Sequence, residues 1–157
     1  MEAVEAVKEG LSLDQVKAKV QKAIENVKIF IMLPTLKYLV KGGRVSKPKG
    51  LIGNLLRLNP IVSFDKDGRV VLAAKAFGEK NAMNKTLKMA ARYVRNYKRV
   101  KFVVAHANAY SKATWYVEQL KRRFDVKEDI PIVDAAPVLG VHAGPGTAGF
   151  AFIGYDD

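Results

Sequence analysis

Apolar residues recur every three or four positions, the spacing of one face of an α-helix, in three segments of the chain. These segments are 12–27, 79–97 and 111–124. Ser12 stands three residues before Gln15, which is the spacing of a capping box, and Ser111 is suited to cap the third segment. The pattern therefore predicts three amphipathic helices.

Short continuous apolar runs separate these helices and predict strands that are buried on both faces. The predicted strands cover residues 29–33, 61–64, 70–74, 100–105, 130–135, 137–141 and 147–154. Asp67-Gly68 between two of the runs favours a β-hairpin. Shorter helices are predicted over 34–43, which ends at paired glycines, and over 50–58. Strands that alternate with helices, together with one hairpin, predict an α/β domain with a mixed sheet flanked by helices.

Composition excludes several classes of protein. A chain of 157 residues with 49% hydrophobic residues is long enough for one domain with its own core. The absence of cysteine excludes disulfides and thiolate zinc sites and fits a cytoplasmic protein. Two histidines argue against a structural metal site. No apolar run approaches the roughly 20 residues of a membrane span.

The net charge of +12 is concentrated in two stretches. Residues 26–64 contain seven Lys or Arg and no acid, and residues 80–117 contain nine and no acid. Such stretches favour anionic partners such as nucleic acid, phosphorylated ligands or acidic proteins, but they are more often simply a solvated surface. In the predicted helix 79–97 the basic residues lie opposite the apolar face, which weakens the nucleic-acid interpretation.

Two basic residues stand next to paired glycines. His142 precedes Gly144 and Gly146, and Arg44 follows Gly42-Gly43. Glycine allows a ligand to approach the backbone closely, so the two side chains could converge on one anionic group. Each signal also has a structural interpretation: a tight turn, a packed histidine, or an arginine that complements a helix end. No helix is predicted after Gly144-Pro145-Gly146, so a nucleotide-binding loop is not indicated.

Four segments together resemble the C-terminal half of the DegV family of bacterial fatty-acid-binding proteins. They are IFIMLPTLKYLVKGGRVSKPKG at 29–50, LIGNLLRLNPIVSFDKDGRV at 51–70, HANAYSKA at 106–113 and APVLGVHAGPGTAGFAF at 136–152. The resemblance implies that 1–28 is a linking helix, that 29–157 is the lipid-binding domain, and that the family's N-terminal domain is absent. Ala143 departs from the pattern, since many relatives carry a hydroxyl residue there.

The resemblance further implies that a long-chain fatty acid lies between two domains, with Arg44 and His142 near its carboxylate. Gly43, His106, Ala143, Gly144 and Gly146 are implied as supporting residues, and Leu51, Ile52, Leu55 and Leu56 as a wall of the acyl pocket. His106 is also compatible with a purely structural role at the end of its strand.

The partner implied is an ATP-dependent fatty acid kinase, which phosphorylates the presented carboxylate. The chain itself is then a carrier in the cytoplasm, with no catalytic residue, metal or cofactor. The alternative is a module that binds nucleic acid or an acidic protein through its basic surface. Salt dependence of binding separates the two functions, because only the second is dominated by charge.

Overall fold

The computed structural model describes residues 2–44 and 58–156, within which six strands form one sheet. The strands are β1 Val27–Met32, β2 Leu58–Phe64, β3 Val70–Phe77, β4 Arg99–Ala107, β5 Ile132–Asp134 and β6 Thr147–Tyr155. Their order across the sheet is β3-β2-β1-β6-β4-β5. Neighbouring strands are antiparallel except β4 and β5, which are parallel. The predicted mixed sheet and hairpin are therefore confirmed.

Six helices accompany the sheet in the described ranges. They are α1 Glu2–Lys8, α2 Leu13–Asn26, α3 Lys37–Lys41, α4 Glu79–Val94, α5 Tyr110–Phe124 and α6 Pro137–Ala143. The capping box of α2 is present, because the Ser12 N–H donates to Gln15 Oε1 at 2.9 Å and the Gln15 N–H donates to Ser12 Oγ. Ser111 does not cap α5, which begins one residue earlier, after Ala109. The predicted helix over 50–58 lies outside the described residues apart from Leu58, which begins β2.

One face of the sheet carries the main core against α4 and α5. The large side chains of this face are Phe30, Met32, Phe102, Val104, Phe150 and Phe152, all buried. Side chains alternate across a strand, so these positions share one face. Tyr116 of α5 packs on Phe150 with ring centroids 5.3 Å apart, and its hydroxyl lies 3.0 Å from Thr86 Oγ1 of α4. The two helices are thus joined beneath the sheet.

Among the described residues, the opposite face of the sheet is covered only at its ends. At one end, Tyr155 of β6 donates a hydrogen bond to Glu2 of α1 at 2.7 Å. At the other end, α3 and α6 pack together, with Leu39 buried. Between them the alternate residues of β1, β4 and β6 remain apolar but open. The middle of this second face is therefore a half-buried hydrophobic floor.

One predicted strand is wrong. Residues 137–141 form the start of α6 and not a strand; Pro137 occupies the first helical position, where its missing N–H is harmless, whereas in a central strand it would interrupt the ladder. The apolar face of α2 is not buried, since Leu13 and Ile24 are 69% and 60% exposed. None of the helices in the described ranges is long and apolar enough to span a bilayer.

Candidate ligand-binding site

An apolar groove of about 580 Å³ crosses the open face of the sheet. Its floor consists of Ile29, Ile31, Val103, Ala105, Gly149 and Ala151. Small residues at the centre deepen the groove. Gly149 also permits the close pairing of β6 with β1, because a Cβ there would lie 2.5 Å from the carbonyl oxygen of Phe30. The rim includes Phe64 and Leu139, which are 40% and 59% exposed. Within residues 2–44 and 58–156 the groove is open on one side, and it can hold a slender hydrocarbon.

Arg44 lines this groove just beyond the end of α3. Its backbone N–H donates to the Leu39 carbonyl at 2.9 Å, and Gly43 turns the chain with a positive φ of 69°. Its guanidinium donates to the Gly42 carbonyl at 2.8 Å. This bond fits the interpretation of Arg44 as a helix-end cation. A guanidinium carries five N–H groups, so the same side chain can also bind an anion.

His142 lines the same groove from the last turn of α6. Its ring lies directly against Gly42: a Cβ at that glycine would lie 2.8 Å from Cε1 of the imidazole and closer still to Nδ1. Nδ1 is buried and has no hydrogen-bond partner among the described residues. The structure thus brings His142 and Arg44 to one end of the groove, and both contact Gly42.

The Gly144-Pro145-Gly146 segment is a tight connection between α6 and β6. Both glycines have a φ of +83°, which favours glycine. The N–H of Gly146 donates to Ala107 at 2.8 Å, and its carbonyl accepts a hydrogen bond from Lys112 at 2.7 Å. Ala143 lines the groove and packs against the cluster formed by Leu33, Leu39 and Val62. The segment leads into a strand and not a helix, so it does not form a nucleotide phosphate loop.

His106 borders the groove, but its imidazole lies on the core side of β4. It pairs in register with the buried Ala148, and its Nδ1 accepts a hydrogen bond from the N–H of Ala109 at 3.4 Å. The same nitrogen is 3.4 Å from Asp134 Oδ1. His106 therefore has a local role at the start of α5, and its participation in the ligand site stays a prediction.

The family model described as "Uncharacterised protein, DegV family" matches residues 1–154. The chain belongs to the DegV family. Among curated relatives, it is 35% identical over 153 residues to a DegV domain-containing protein of Staphylococcus aureus, covering 96% of this chain and 53% of that one. This DegV chain thus spans about half the length of the relatives it matches.

Solved structures of DegV proteins share the fold. The fatty acid binding DegV family protein of Streptococcus agalactiae matches with a TM-score of 0.86 and 29% identity, covering 98% of this chain and 53% of that one. A stearic acid-binding protein of Eubacterium ventriosum matches with a TM-score of 0.85 and 25% identity, covering 98% and 53%. The predicted family and fold class are both confirmed.

Some of the predicted DegV site residues lie outside the described ranges, and some features of the site were not predicted. The predicted wall residues Leu51, Ile52, Leu55 and Leu56 fall outside the described residues. Within residues 2–44 and 58–156, no cluster of His, Asp and Glu could hold a metal ion. Sequence reasoning missed Tyr38, whose ring lies on Gly144, and the groove floor. The floor had a signal, because residues 29–32, 102–105 and 148–153 are apolar at consecutive positions and not at alternate ones.

Proposed function

We propose that this chain binds a fatty acid, with the acyl chain on the apolar floor and the carboxylate at Arg44 and His142. The observation that carries this function is the open apolar face of the sheet with two basic side chains at one end. The fatty acids named for the related solved proteins support it.

The apolar floor and the two basic side chains suit a ligand that is apolar along most of its length and anionic at one end. Each methylene buried on the floor contributes roughly 0.8 kcal/mol when water is fully excluded. A carboxylate pairs well with a guanidinium, whose planar N–H groups bind both oxygens, and a histidine N–H adds a third donor. Apolar floor residues alone would not distinguish an acid from a hydrocarbon.

We infer that the second wall of the pocket belongs to the half of the DegV protein that this chain does not span. The central stretches of β1, β4 and β6 are apolar on both faces, which is typical of sheets covered on both sides; they are residues 29–32, 102–105 and 148–153. Residues 1–28 are then the connection between the two halves, residues 29–157 form the lipid-binding domain, and Leu51, Ile52, Leu55 and Leu56 contribute to the wall.

We also infer that the bound acid is the substrate of a separate ATP-dependent kinase in the cytoplasm. A carboxylate oxygen forms a bond to the γ-phosphorus while the bond from that phosphorus to the ADP oxygen breaks, giving an acyl phosphate and ADP. Arg44 and His142 stabilise the negative charge that spreads over the phosphoryl oxygens. Throughout, the chain holds and orients the acid, and the kinase supplies the nucleotide.

Fatty acids of eight, ten and twelve carbons provide a direct test, because they stay soluble at the concentrations needed. We expect the acids to shift backbone amide resonances of β1, β4 and β6 on the groove floor. Affinity should rise with each methylene by less than the roughly fourfold that complete burial gives. Ala151→Phe fills the floor and should abolish the shifts, because Ala151 pairs with Ile29 and Val103.

Ala73→Phe is the matched control, since Ala73 is exposed on β3 and does not line the groove. It should bind the acids like the unsubstituted chain. Affinity that does not depend on chain length, or shifts that survive Ala151→Phe, would contradict acyl binding in this groove.

A further inference from the structure

At the C-terminal ends of α3 and α6, an aromatic ring from each helix packs against a glycine of the other. Gly42 caps the C-terminus of α3 and receives the imidazole of His142 from α6. Gly144 caps the C-terminus of α6 and receives the ring of Tyr38 from α3, because a Cβ there would lie 2.9 Å from Cγ of the tyrosine and closer to its Cδ2. Each helix end is thus shaped to accept a ring from the other.

The backbone conformation does not explain why residue 42 is a glycine. Gly42 has φ −78° and ψ −1°, a helical conformation that any residue adopts. Its neighbour Gly43 is the opposite case: φ is +69°, and nothing lies within 4 Å of a Cβ built there. Gly43 serves the turn, whereas Gly42 leaves room for the imidazole.

Gly42 also contacts the second basic residue. Its carbonyl accepts the hydrogen bond from Arg44 Nη1 at 2.8 Å, while its Cα faces the His142 ring. The relative position of the guanidinium and the imidazole is therefore set through one backbone unit. Any displacement of that unit moves both groups.

We propose that Gly42 is the positioning residue of the carboxylate site, a role that deepens the proposed fatty-acid function. By holding Nδ1 of His142 against its Cα, Gly42 denies that nitrogen both water and a protein partner. A buried N–H without an acceptor is strongly disfavoured, so the neutral ring carries its proton on Nε2. Nε2–H is then the donor that, with Arg44, meets an anionic head group.

A double-mutant cycle, followed by thermal unfolding, tests the contact between Gly42 and the His142 ring. Gly42→Ala should lower the Tm by roughly 4–8 °C, because the added methyl overpacks against the imidazole. In the His142→Ala background the same substitution should leave the Tm unchanged or raise it, since alanine suits a helical position better than glycine. Gly43→Ala is the matched control and should lower the Tm equally in both backgrounds, because its strain lies in φ. An equal loss for Gly42→Ala in both backgrounds would overturn the proposal.

Ring-nitrogen ¹⁵N shifts of His142, measured where the imidazole is neutral, give a readout that helix stability alone does not move. We expect the Nε2–H tautomer in the unsubstituted chain and in Gly43→Ala, and a mixture in Gly42→Ala. The protein has two histidines, and His106 serves as the internal reference. A His142 signal that is the same in all three proteins would refute the positioning role.

Comparison of decanoic acid with 1-decanol tests whether the contact between Gly42 and His142 affects ligand binding. It also separates the positioning role of Gly42 from the fatty-acid function. The unsubstituted chain should prefer the acid by about tenfold, as expected for hydrogen bonds to a charged group. Gly42→Ala should lose this preference with little change in alcohol binding. If neither compound binds although the unfolding and tautomer results are as expected, the fatty-acid function is wrong and the contact between Gly42 and His142 is still supported. If both bind and Gly42→Ala keeps the preference, the positioning role fails and the fatty-acid function stands.

Discussion

At the scale of single residues, a guanidinium at the end of an apolar groove acts on the head group of a ligand and hardly on its tail. In a two-domain protein that contains this chain, Arg44→Ala and His142→Ala should reduce acyl-phosphate formation far more than lipid content. Removal of one donor to a developing oxyanion typically lowers the rate by about 10²–10³. The measurements are acyl-phosphate production with the proposed ATP-dependent kinase and lipid recovered by extraction.

Arg44→Lys is the graded control for this prediction. It keeps the positive charge but lacks the planar pair of N–H groups, so it should restore only part of the rate. Variants that lose their lipid yet phosphorylate added fatty acid normally would show that the roles assigned to Arg44 and His142 are wrong.

Tyr116 supplies a prediction about pH. Burial raises the pKa of this phenol well above its ordinary 10.0, and the hydrogen bond with Thr86 opposes the shift only in part. Above pH 10 the unfolded chain therefore loses a proton that the folded chain keeps, so the free energy of unfolding should fall as pH rises. Tyr116→Phe should flatten this alkaline decline in urea titrations.

The same substitution should lower the free energy of unfolding at neutral pH by about 1 kcal/mol, because one buried hydrogen bond is lost. Thr86 keeps its bond to the Met83 carbonyl at 2.6 Å, so no hydroxyl is left without a partner. An alkaline decline as steep in Tyr116→Phe as in the unsubstituted chain would exclude Tyr116 as a source. Tyr155, whose pKa is raised by burial and by Glu2, is the natural second variant.

Sequence reasoning at this scale recognised which residues converge but not what holds them. Arg44 and His142 each stand beside glycines, and their approach to one groove end followed from that pattern. The contact of His142 with Gly42 could not be predicted from the local sequence. The two residues belong to separate helices, and Gly42 has an ordinary backbone conformation. His106 shows the converse: its place after a buried strand suggested a site, and tertiary register turned its ring to the core side.

At the scale of elements, the basic surface of α4 is expected to be a solvated helix face. Lys85, Lys88, Arg92 and Arg95 are exposed opposite the buried Met83 and Leu87, and the one aromatic among them, Tyr93, packs against Phe30 with ring centroids 6.0 Å apart. We therefore predict no sub-micromolar binding of duplex or single-stranded DNA at physiological salt. Filter binding at 50 and 150 mM salt checks this. Tight retention at the higher concentration would revive the nucleic-acid alternative.

Long periodic helices and the hairpin were predictable because local sequence and tertiary packing agree there. In α4 the apolar stripe is the buried face, and in the hairpin Gly68 has the positive φ of 75° that the Asp-Gly turn requires. Helix α6 was not predictable from its apolar run, since a short apolar run fits a strand or a helix equally. Pro137 was the discriminating residue, because it suits the first turn of a helix and interrupts a sheet.

At the scale of the whole molecule, the sequence indicated strands buried on both faces. The structure covers one face with helices and, in the part of the chain that it describes, leaves the other partly open. The same mismatch appears in α2, whose apolar stripe includes the exposed Leu13 and Ile24. Composition alone could not reveal this, because the count of apolar residues suits a complete domain. The surface distribution, known only from the fold, indicates that these faces meet further protein or ligand.

The open groove leads to a final prediction about residues 1–157 on their own. Palmitate should bind more weakly than micromolar, because one wall leaves much of each methylene in water and the roughly 0.8 kcal/mol of complete burial is not reached. The apolar floor should instead promote self-association that grows with protein concentration. Calorimetry with palmitate and sedimentation at several concentrations measure the two effects. Ala151→Phe is an informative comparison, since it fills the floor without making it polar and should weaken palmitate binding while self-association persists. Micromolar or tighter binding of palmitate by the unsubstituted chain would mean that this chain encloses the ligand by itself, and that the second wall inferred for the half of the DegV protein that it does not span is not needed.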